Sequence, residues 1–460
     1  MSNPESTNFT ELNSPQDLLS FFRKDEPYEE KIGIEVELAV VNPDTGISVS
    51  YNQINLILKT IVEAQSERWI PIFEYENNIT QLKGHDGTNI CLESAGVIEY
   101  SSRPETNLSA LISKMNEDIL YLAETVESQG FTLIAVANMP FDKPEDTSWA
   151  PRLRSKIFRN HFASLGDASF YGWRMLAQTL STQATFDYES EEDMSQKVRA
   201  MLLASPIFSA IFVNSPIEEG KVDNVLSHRL KYWLKCDSLR TGCIPPALKS
   251  TFTFKDFIDW AIEIPMMFRV RSNGQYLPMQ GQTFSSTLKD GFDDGLTPTM
   301  SDWIFHLSNI ITDIRLRKTI EIRSIDSPAF EYIPSVPVFL TGLIYHTESL
   351  EAICNMLDEV SIAEYWRALE EISTKGLQAK YAGVCVKEIA QELVKLSKEG
   401  LSSRIDKGIE KPEVIKHLEP LEEIVSSGVT YSERLIESWK GEWHYSPSKF
   451  IESRKVLRRS

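Results

Sequence analysis

The run "KIGIEVELAVV", Lys31–Val41, alternates apolar and acidic side chains near the start of the chain. Successive side chains of a β-strand point to opposite faces, so Glu35 and Glu37 share one face and the apolar residues between them share the other. The two carboxylates would stand about 6.6 Å apart, two strand steps. This pattern fits a half-exposed sheet, and it equally fits a strand that offers two oxygen ligands to Mg²⁺ in a cavity. The motif alone leaves both interpretations open.

Strand-like and helical patterns alternate along the first half of the chain. The run "LSALISKMNEDILYLAETVESQG" has helical spacing and ends at Gly130, where a C-terminal glycine belongs. The next helical run begins at Ser190, three residues before Asp193 as in a capping box, and keeps its spacing up to Pro206. Strand-like runs such as "MMFRVR" and "KTIEIRSID" follow, and after about Ser335 the pattern is helical almost to the end. We therefore expect the α+β class, an antiparallel sheet with helices packed around it.

Length, composition and charge exclude several classes of protein. The 460 residues are 42% hydrophobic and 25% charged, which is typical of a globular protein. No apolar run reaches about 18 residues, so we expect no membrane partner. The net charge of −19 argues against a nucleic-acid partner. Residues 1–30 are predicted to be a flexible lead-in, and residues 31–455 a single domain with a helical C-terminal part from about residue 335.

The five cysteines are scattered and lack any CxxC pair. Such a pattern is typical of free thiols in a reducing compartment, so we expect a cytoplasmic location.

Carboxylates recur in two further strand-like runs. In "LESAGVIEYSS", Glu93 and Glu99 flank a Ser-Ala-Gly turn, and in "KTIEIRSID", Glu321 shares a face with Thr319 and Arg323. Each run taken alone could be a solvated face or a buried ion pair. Carboxylates that converge repel one another, so a shared site would need cations among them.

The missing motifs narrow the choice of cation. HExxH, paired Cys and His ligands and a DxDxDG loop are all absent from the sequence, which argues against zinc and EF-hand calcium. Oxygen-only ligands indicate Mg²⁺ or Mn²⁺, and hence a nucleotide. The two common phosphate-binding loops, GxxxxGK[ST] and GxGxxG, are also missing. An ATP site on a sheet, with Arg315 and Arg323 as phosphate clamps, is compatible with these observations.

A longer stretch carries a family resemblance. The block from "TQATFDYESEEDMSQ" to "CDSLRTGCIP", with "IGIEVEL", "LESAGVIEYSS", "RLRKTIEIRSID" and "SSGVTYSERLIESWKGEW" in order, resembles the plant-type glutamate–cysteine ligase family over about Lys31 to Trp443. These are GCS2-type carboxylate–amine ligases of the glutamine-synthetase-like superfamily. The resemblance implies a curved antiparallel sheet that forms a funnel, with helices outside. It also implies the ATP-dependent ligation of L-glutamate to an amine through γ-glutamyl phosphate, with L-cysteine as the acceptor in glutathione biosynthesis.

The resemblance also implies roles for individual residues. The expected Mg²⁺ or Mn²⁺ ligands are Glu35, Glu37, Glu93, Glu99 and Glu321. Glu321 and Arg323 are the expected catalytic pair, and ATP is expected to bind Arg315 and Arg323. The expected substrate-binding residues are Arg159, Thr182, Gln183, Arg229 and Arg240.

Some positions depart from the family pattern. Val36 stands where the plant-type motif has a histidine, and Ser285 replaces an arginine. Because Ser285 lacks the positive charge of that arginine, a different amine acceptor is an alternative to cysteine. Leu180 and Pro334 occupy the positions of the cysteines that form regulatory disulfides in the plant enzymes, so we expect no such redox switch here.

Three functional hypotheses follow. The favoured one is an ATP-dependent γ-glutamyl ligase, a monomer or homodimer. The second is a catalytically inactive homologue that acts as a binding or regulatory protein. The third is a γ-glutamyl transferase or hydrolase that does not use ATP.

Overall fold

The computed structural model describes residues 8–24, 27–74, 78–271, 275–279 and 281–457. A nine-stranded antiparallel sheet runs through the described chain. Its strands are β1 (Ile32–Val41), β2 (Trp69–Glu74), β3 (Asn78–Gly84), β4 (Asn89–Leu92), β5 (Ile98–Ser101), β6 (Thr132–Ile134), β7 (Thr182–Phe186), β8 (Ile314–Leu316) and β9 (Ile320–Ile322). The order across the sheet is β8-β9-β7-β1-β5-β4-β3-β2, and β6 pairs with the last residues of β1.

Helices surround this sheet. They are α1 (Pro15–Leu18), α2 (Tyr51–Ala64), α3 (Leu108–Ser128), α4 (Leu153–Ala163), α5 (Ser169–Gln178), α6 (Glu191–Phe212), α7 (His228–Cys236), α8 (Phe254–Ala261), α9 (Phe284–Asp290), α10 (Met300–Leu307), α11 (Ser335–Ile344), α12 (Thr347–Met356), α13 (Ile362–Lys375), α14 (Val386–Asp406), α15 (Glu419–Ser427), α16 (Tyr431–Lys440) and α17 (Pro447–Arg454).

Minor elements complete the chain. Short paired strands lie at Ile217–Glu218 with Lys221–Val222, Thr241–Gly242 with Ile311–Thr312, Phe268–Val270 with Tyr276–Pro278, and Lys380–Tyr381 with Val384–Cys385. Short 3₁₀ segments lie at Leu19–Phe22, Pro144–Asp146, Gly166–Ala168, Pro245–Leu248, Phe330–Tyr332, Gly376–Gln378 and Pro412–Leu418. Within the described ranges, no helix has both the length and the apolar character needed to cross a bilayer.

The sheet has one apolar face and one polar face. On β1, Ile34, Val36 and Leu38 are buried against the core, whereas Glu35 and Glu37 point to the opposite side. This confirms the alternation predicted from the sequence. The predicted α+β class, with an antiparallel sheet and surrounding helices, is also confirmed. The sheet is not closed, because its outer strands β8 and β2 do not pair with each other.

Helix α6 passes through the core and continues beyond the proline at which its spacing pattern breaks. Ser190 caps its start, accepting a hydrogen bond from the Asp193 amide at 3.2 Å. Proline lacks an N–H and crowds the preceding turn, so it usually ends or kinks a helix. Here the helix runs six residues past Pro206 to Phe212, and the residues from Ala200 onward are all buried. Packing on all sides stabilises the turn that the proline weakens.

The segment before β1 differs from the flexible lead-in that the sequence predicts. Residues 1–7 and 25–26 lie outside the described residues, but residues 8–24 pack onto the body of the protein. Leu12, Leu18 and Phe22 are buried in the main core, and the Leu12 amide donates to the Pro298 carbonyl at 2.8 Å. The expectation of a flexible lead-in is therefore wrong for this stretch, because its apolar side chains fill the core.

Candidate active site

Four glutamates gather on the polar face of the sheet, and we call Glu35, Glu37, Glu93 and Glu99 the carboxylate row. Glu37 pairs directly with Glu99 across β1 and β5, so both side chains point to the same face. Glu93 follows β4 and starts the turn into β5, where its amide donates to the Val97 carbonyl at 2.8 Å. The row thus joins carboxylates that are far apart in the sequence.

Gly96 allows the tight turn that brings Glu93 and Glu99 together. Its φ of +78° lies in the left-handed region, which favours glycine. A Cβ at this position would also come within 2.9 Å of the Ile54 side chain. The turn therefore requires glycine for its backbone angle and for space.

Within the row, Glu35 and Glu37 resist ionisation. Burial, followed by repulsion from Glu99 and Glu321, raises the pKa of Glu35 to about 8. Burial and repulsion from Glu93 and Glu99 raise the pKa of Glu37 to about 7, and the charge of Arg229 partly offsets this rise. Glu37 accepts a hydrogen bond from the Ser181 hydroxyl at 3.0 Å. The Oε2 atom of Glu35, by contrast, is buried without a hydrogen-bond partner among the described residues.

These observations fit a divalent cation. Carboxylate oxygens are the ligands that Mg²⁺ and Mn²⁺ prefer. A cation among them would stabilise the ionised carboxylates of Glu35 and Glu37, whose pKa values are raised by burial and mutual repulsion. It would also give the unpartnered Oε2 atom of Glu35 a ligand role.

Glu321 lies on the same face of the sheet but in a different environment. Both of its oxygens accept from Arg315, with the Nε and Nη2 contacts each at 2.8 Å, and Arg317 approaches to 3.2 Å. Arg323 also donates to Glu321. Burial opposes ionisation, but the charges of Arg315 and Arg323 hold the pKa of Glu321 far below its usual range. We call Glu321 and these three arginines the arginine cluster.

The arginine cluster borders a cavity that also reaches Glu35. This cavity has a volume of about 240 Å³ and is lined by Lys31, Glu35, Thr185 and Arg317, among others. The Arg317 side chain is 23% exposed, whereas that of Arg315 is only 4% exposed and faces Glu321. Arg317 therefore presents its charge to the cavity, and Arg315 mainly fixes Glu321.

A larger groove of about 670 Å³ lies elsewhere, between the start of α6 and α12. It is lined by residues such as Glu191, Arg199 and Cys354 and by none of the carboxylate row. Volume alone therefore does not identify the site.

Thr182 and Gln183 begin β7, as expected, and connect the two groups of charges. Gln183 pairs with Glu35 in the register of β7 against β1. Its Oε1 accepts from Arg323, and its Nε2 donates to the Ser181 hydroxyl at 2.9 Å. Thr182 is buried and hydrogen-bonds to Ser327 at 3.0 Å. Gln183 faces the site, whereas Thr182 takes the opposite orientation on the strand.

Arg229 lies at the Glu37 end of the row. It is the second residue of α7, donates to the Arg323 carbonyl at 2.7 Å and lies 3.5 Å from Asp326. Asp326 is itself held by the hydroxyls of Ser215 and Ser227 at 2.7 and 2.8 Å. This buried network fixes the guanidinium close enough to Glu37 to stabilise its charge.

The other two arginines predicted to bind substrate occupy different settings. Arg159 on α4 lies over the Trp149 ring at 4.7 Å and is only partly buried. Arg240 is buried, pairs with Asp237 at 2.9 Å and donates to the Pro265 carbonyl at 2.6 Å. These contacts place Arg240 in a buried structural ion pair.

The structure also adds residues to the site that the sequence reasoning missed. Cys91 on β4 pairs with Glu99, and Arg152 donates to the Leu92 carbonyl beside Glu93. Ser181 precedes β7 and contacts Glu37. The two-residue period of β4 could have placed Cys91 on the acidic face, but only the strand register shows that it lies opposite Glu99.

Comparisons with known proteins find relatives along almost the whole chain. The model of glutamate–cysteine ligase family 2 (GCS2) matches residues 31–449. Glutamate–cysteine ligase A, chloroplastic, of Oryza sativa subsp. japonica is 31% identical over 96% of this chain and 88% of its own length. The chloroplastic glutamate–cysteine ligase of Arabidopsis thaliana is 30% identical over 96% and 83%.

A solved structure supports the fold independently. The glutamate–cysteine ligase of Francisella tularensis, solved in complex with AMP, superposes with a TM-score of 0.58 at 13% identity. The match covers 98% of this chain and 89% of the other. At this identity the likeness concerns the fold alone.

The comparisons correct one expectation and establish the family. The relatives from Oryza, Brassica and Arabidopsis are all chloroplastic proteins, so the cytoplasmic location expected from the cysteine pattern is wrong. Free thiols indicate a reducing compartment, and the cytosol is not the only such compartment. Because the family model spans all but the first 30 and the last 11 residues, this chain belongs to glutamate–cysteine ligase family 2.

Proposed function

We propose that this ligase joins the γ-carboxylate of L-glutamate to the amine of L-cysteine, with hydrolysis of ATP to ADP and phosphate. The observation that carries the proposal is the placement of the carboxylate row and the arginine cluster on one face of the sheet. Only β7 lies between β9, which carries Glu321, and β1, which carries Glu35 and Glu37. Such a site can hold cations and polyphosphate together. The names of the relatives at about 30% identity support the same reaction.

The carboxylate row is the proposed Mg²⁺ or Mn²⁺ site, with Glu35 and Glu37 as its central ligands and Glu93 and Glu99 beside them. The cation would neutralise the γ-phosphate and the substrate carboxylate so that these two anions can meet. Glu321 takes part through the arginines around it, since both of its oxygens already accept hydrogen bonds.

The arginine cluster is the proposed site for the phosphates of ATP. Arg317 faces the cavity next to Glu35, so it is the residue best placed to contact them. Arg315 positions Glu321, and Arg323 is held between Glu321 and Gln183. A guanidinium held in this way can donate hydrogen bonds to the phosphoryl oxygens while the phosphoryl group transfers to the glutamate carboxylate.

The proposed chemistry has two balanced steps. An oxygen of the glutamate γ-carboxylate attacks the γ-phosphorus of ATP and ADP leaves, which gives γ-glutamyl phosphate. The amine nitrogen then attacks the acyl carbon, and phosphate leaves as the amine loses a proton. Gln183 at the centre, Arg229 beyond Glu37 and Arg159 near Trp149 are the proposed contacts for glutamate and the acceptor.

The test measures ADP release with Mg²⁺, ATP, L-glutamate and a panel of amines, and it identifies the products by mass spectrometry. We expect ADP release to require glutamate and an amine, with γ-glutamylcysteine as the main product at equal acceptor concentrations. Another dominant γ-glutamyl amide would overturn cysteine as the acceptor while keeping the ligase. Formation of γ-glutamyl products without ATP consumption would indicate a transferase or hydrolase, and absence of turnover with every amine would indicate a binding protein.

A further inference from the structure

A thiol lies inside the proposed cation site. Cys91 on β4 pairs with Glu99 on β5, and its Sγ donates to Glu99 Oε1 at 3.1 Å. The side chain is buried, with 1% of its surface exposed. Because residues two apart on a strand share a face, Cys91 and Glu93 lie on the same side of the chain as it leaves β4.

The distances within this group suit a single ion. One potential ligand atom from each of Cys91, Glu93 and Glu99 lies within 4.8 Å of the other two. Ligands of one tetrahedral Zn²⁺ stand about 3.5 Å apart, as follows from metal–ligand bonds of about 2.0–2.3 Å. The three atoms would therefore move by about an ångström or less to share an ion, within the range of side-chain rotation.

The donor set separates the two ends of the carboxylate row. At one end, Glu35 and Glu37 can offer only carboxylate oxygens, and Glu35 Oε2 has no hydrogen-bond partner among the described residues, which suits hard Mg²⁺. At the other end sulfur joins two carboxylates, and sulfur favours softer ions such as Zn²⁺. The row therefore offers two cation positions, one with oxygen ligands alone and one that also includes a sulfur ligand.

We propose that Cys91, Glu93 and Glu99 form a cation position that selects zinc-class ions over Mg²⁺, with Cys91 Sγ as a direct ligand. This inference rests on the proposed function only in taking the carboxylate row as a cation site. Binding exchanges the S–H bond for a sulfur–metal bond and releases one proton to solvent, with no change of oxidation state. The position shares Glu93 and Glu99 with the carboxylate row and lies next to the row's central ligands, of which Glu37 pairs with Glu99.

The first test uses Co²⁺ as a spectroscopic probe on the full-length protein. We expect a thiolate-to-cobalt charge-transfer band in the wild type that Zn²⁺ removes and an equal concentration of Mg²⁺ does not. Cys91→Ser should lose this band and bind Zn²⁺ at least about tenfold more weakly by calorimetry, because a direct ligand is removed. Cys385→Ser is the matched control, since that thiol donates to the Leu377 carbonyl outside the row.

A second measurement needs no variant and so does not depend on how Cys91→Ser folds. X-ray absorption at the zinc edge of the one-to-one wild-type complex should show one sulfur at about 2.3 Å with oxygens beside it. A shell of oxygen and nitrogen only would overturn the proposal, as would a cobalt band that persists in Cys91→Ser.

Activity separates this inference from the proposed function. ADP release with Mg²⁺, but zinc bound without sulfur, refutes the role of Cys91 and leaves the ligase intact. Zinc bound through sulfur, with no ADP release under any condition, supports the metal position and refutes the ligase.

Discussion

At the residue scale, Glu35 is a proposed functional side chain whose buried charge destabilises the metal-free protein. Its carboxylate is buried near Glu99 and Glu321, and one of its oxygens has no hydrogen-bond partner among the described residues. An ionised carboxylate in such a position costs free energy unless a cation is bound. Function and stability therefore oppose each other at this one side chain.

This opposition makes Glu35→Gln informative. With Mg²⁺ we expect turnover to fall about a hundredfold or more, because a cation ligand is removed. Without metal the variant should be at least as stable as the wild type. The control Glu67→Gln changes an exposed glutamate and should alter neither property. Full activity of Glu35→Gln, or wild-type activity that resists a chelator, would contradict the role of Glu35.

The pH dependence has a defined sign. Since the pKa of Glu35 rises from 4.5 to about 8 on folding, the folded state binds its proton more tightly than the unfolded state. The stability contribution is complete below about pH 4.5 and is lost as the pH rises toward 8. In metal-free thermal melts, the advantage of Glu35→Gln over the wild type should therefore grow between these pH values. An advantage that shrinks with rising pH would contradict this assignment.

Arg315 and Arg317 should respond differently to substitution. Arg317→Gln should raise the KM for ATP by about tenfold to a hundredfold, with little loss of stability, because its side chain borders the cavity. Arg315→Met should destabilise the fold by about 3 kcal/mol, because it leaves part of a buried ion pair uncompensated. Steady-state kinetics and urea unfolding measure the two effects, with the exposed Arg367→Gln as control. If Arg317→Gln destabilises the fold and Arg315→Met raises the KM for ATP, then Arg315 is the ATP contact and Arg317 the structural residue.

At the scale of elements, the sequence predicts the polar face of the sheet well and its partners poorly. The two-residue period placed Glu35 and Glu37 correctly, and the turn between Glu93 and Glu99 was also recognised. Contacts that join distant segments were not readable. The hydrogen bond from Arg240 to the Pro265 carbonyl joins residues 25 apart in the sequence, and the continuation of α6 beyond Pro206 depends on packing from all sides.

The crossing of α11 and α14 is a further contact of this kind, and α11 also contacts β1 and β7 of the sheet. Gly342 and Gly400 meet so closely that a Cβ on Gly400 would lie 1.9 Å from the Gly342 carbonyl. Gly400→Ala should therefore push the helices apart and cost about 2–3 kcal/mol. Denaturant unfolding should show a lower midpoint with an unchanged slope. Glu399→Ala, next to it on the exposed side, should change stability by less than about 0.5 kcal/mol. Equal stability of both variants would contradict the tight crossing.

At the scale of the whole molecule, the thiols make a disulfide switch unfavourable. All five cysteines are free, and Cys91, Cys236 and Cys243 are buried. Burial raises the pKa of Cys236 to about 12, which suppresses the reactive thiolate. We expect activity to be the same after treatment with oxidised or reduced glutathione. A reversible loss of activity, with an intramolecular disulfide found by mass spectrometry, would contradict this expectation.

The segment before β1 should be an integral part of the cooperative unit. Phe22 stacks on Phe254 with ring centroids 4.7 Å apart, and nearby Lys24 pairs at 2.7 Å with Asp187, which lines the cavity beside Glu35. Phe22→Ala should therefore cost about 3–5 kcal/mol in urea unfolding, the usual cost of emptying a buried aromatic position. Phe9→Ala is the matched control, because that ring is 48% exposed, and its effect should stay below about 0.5 kcal/mol. If the two variants unfold at the same urea concentration, the segment is an appendage, and the core that supports the cavity is complete without it.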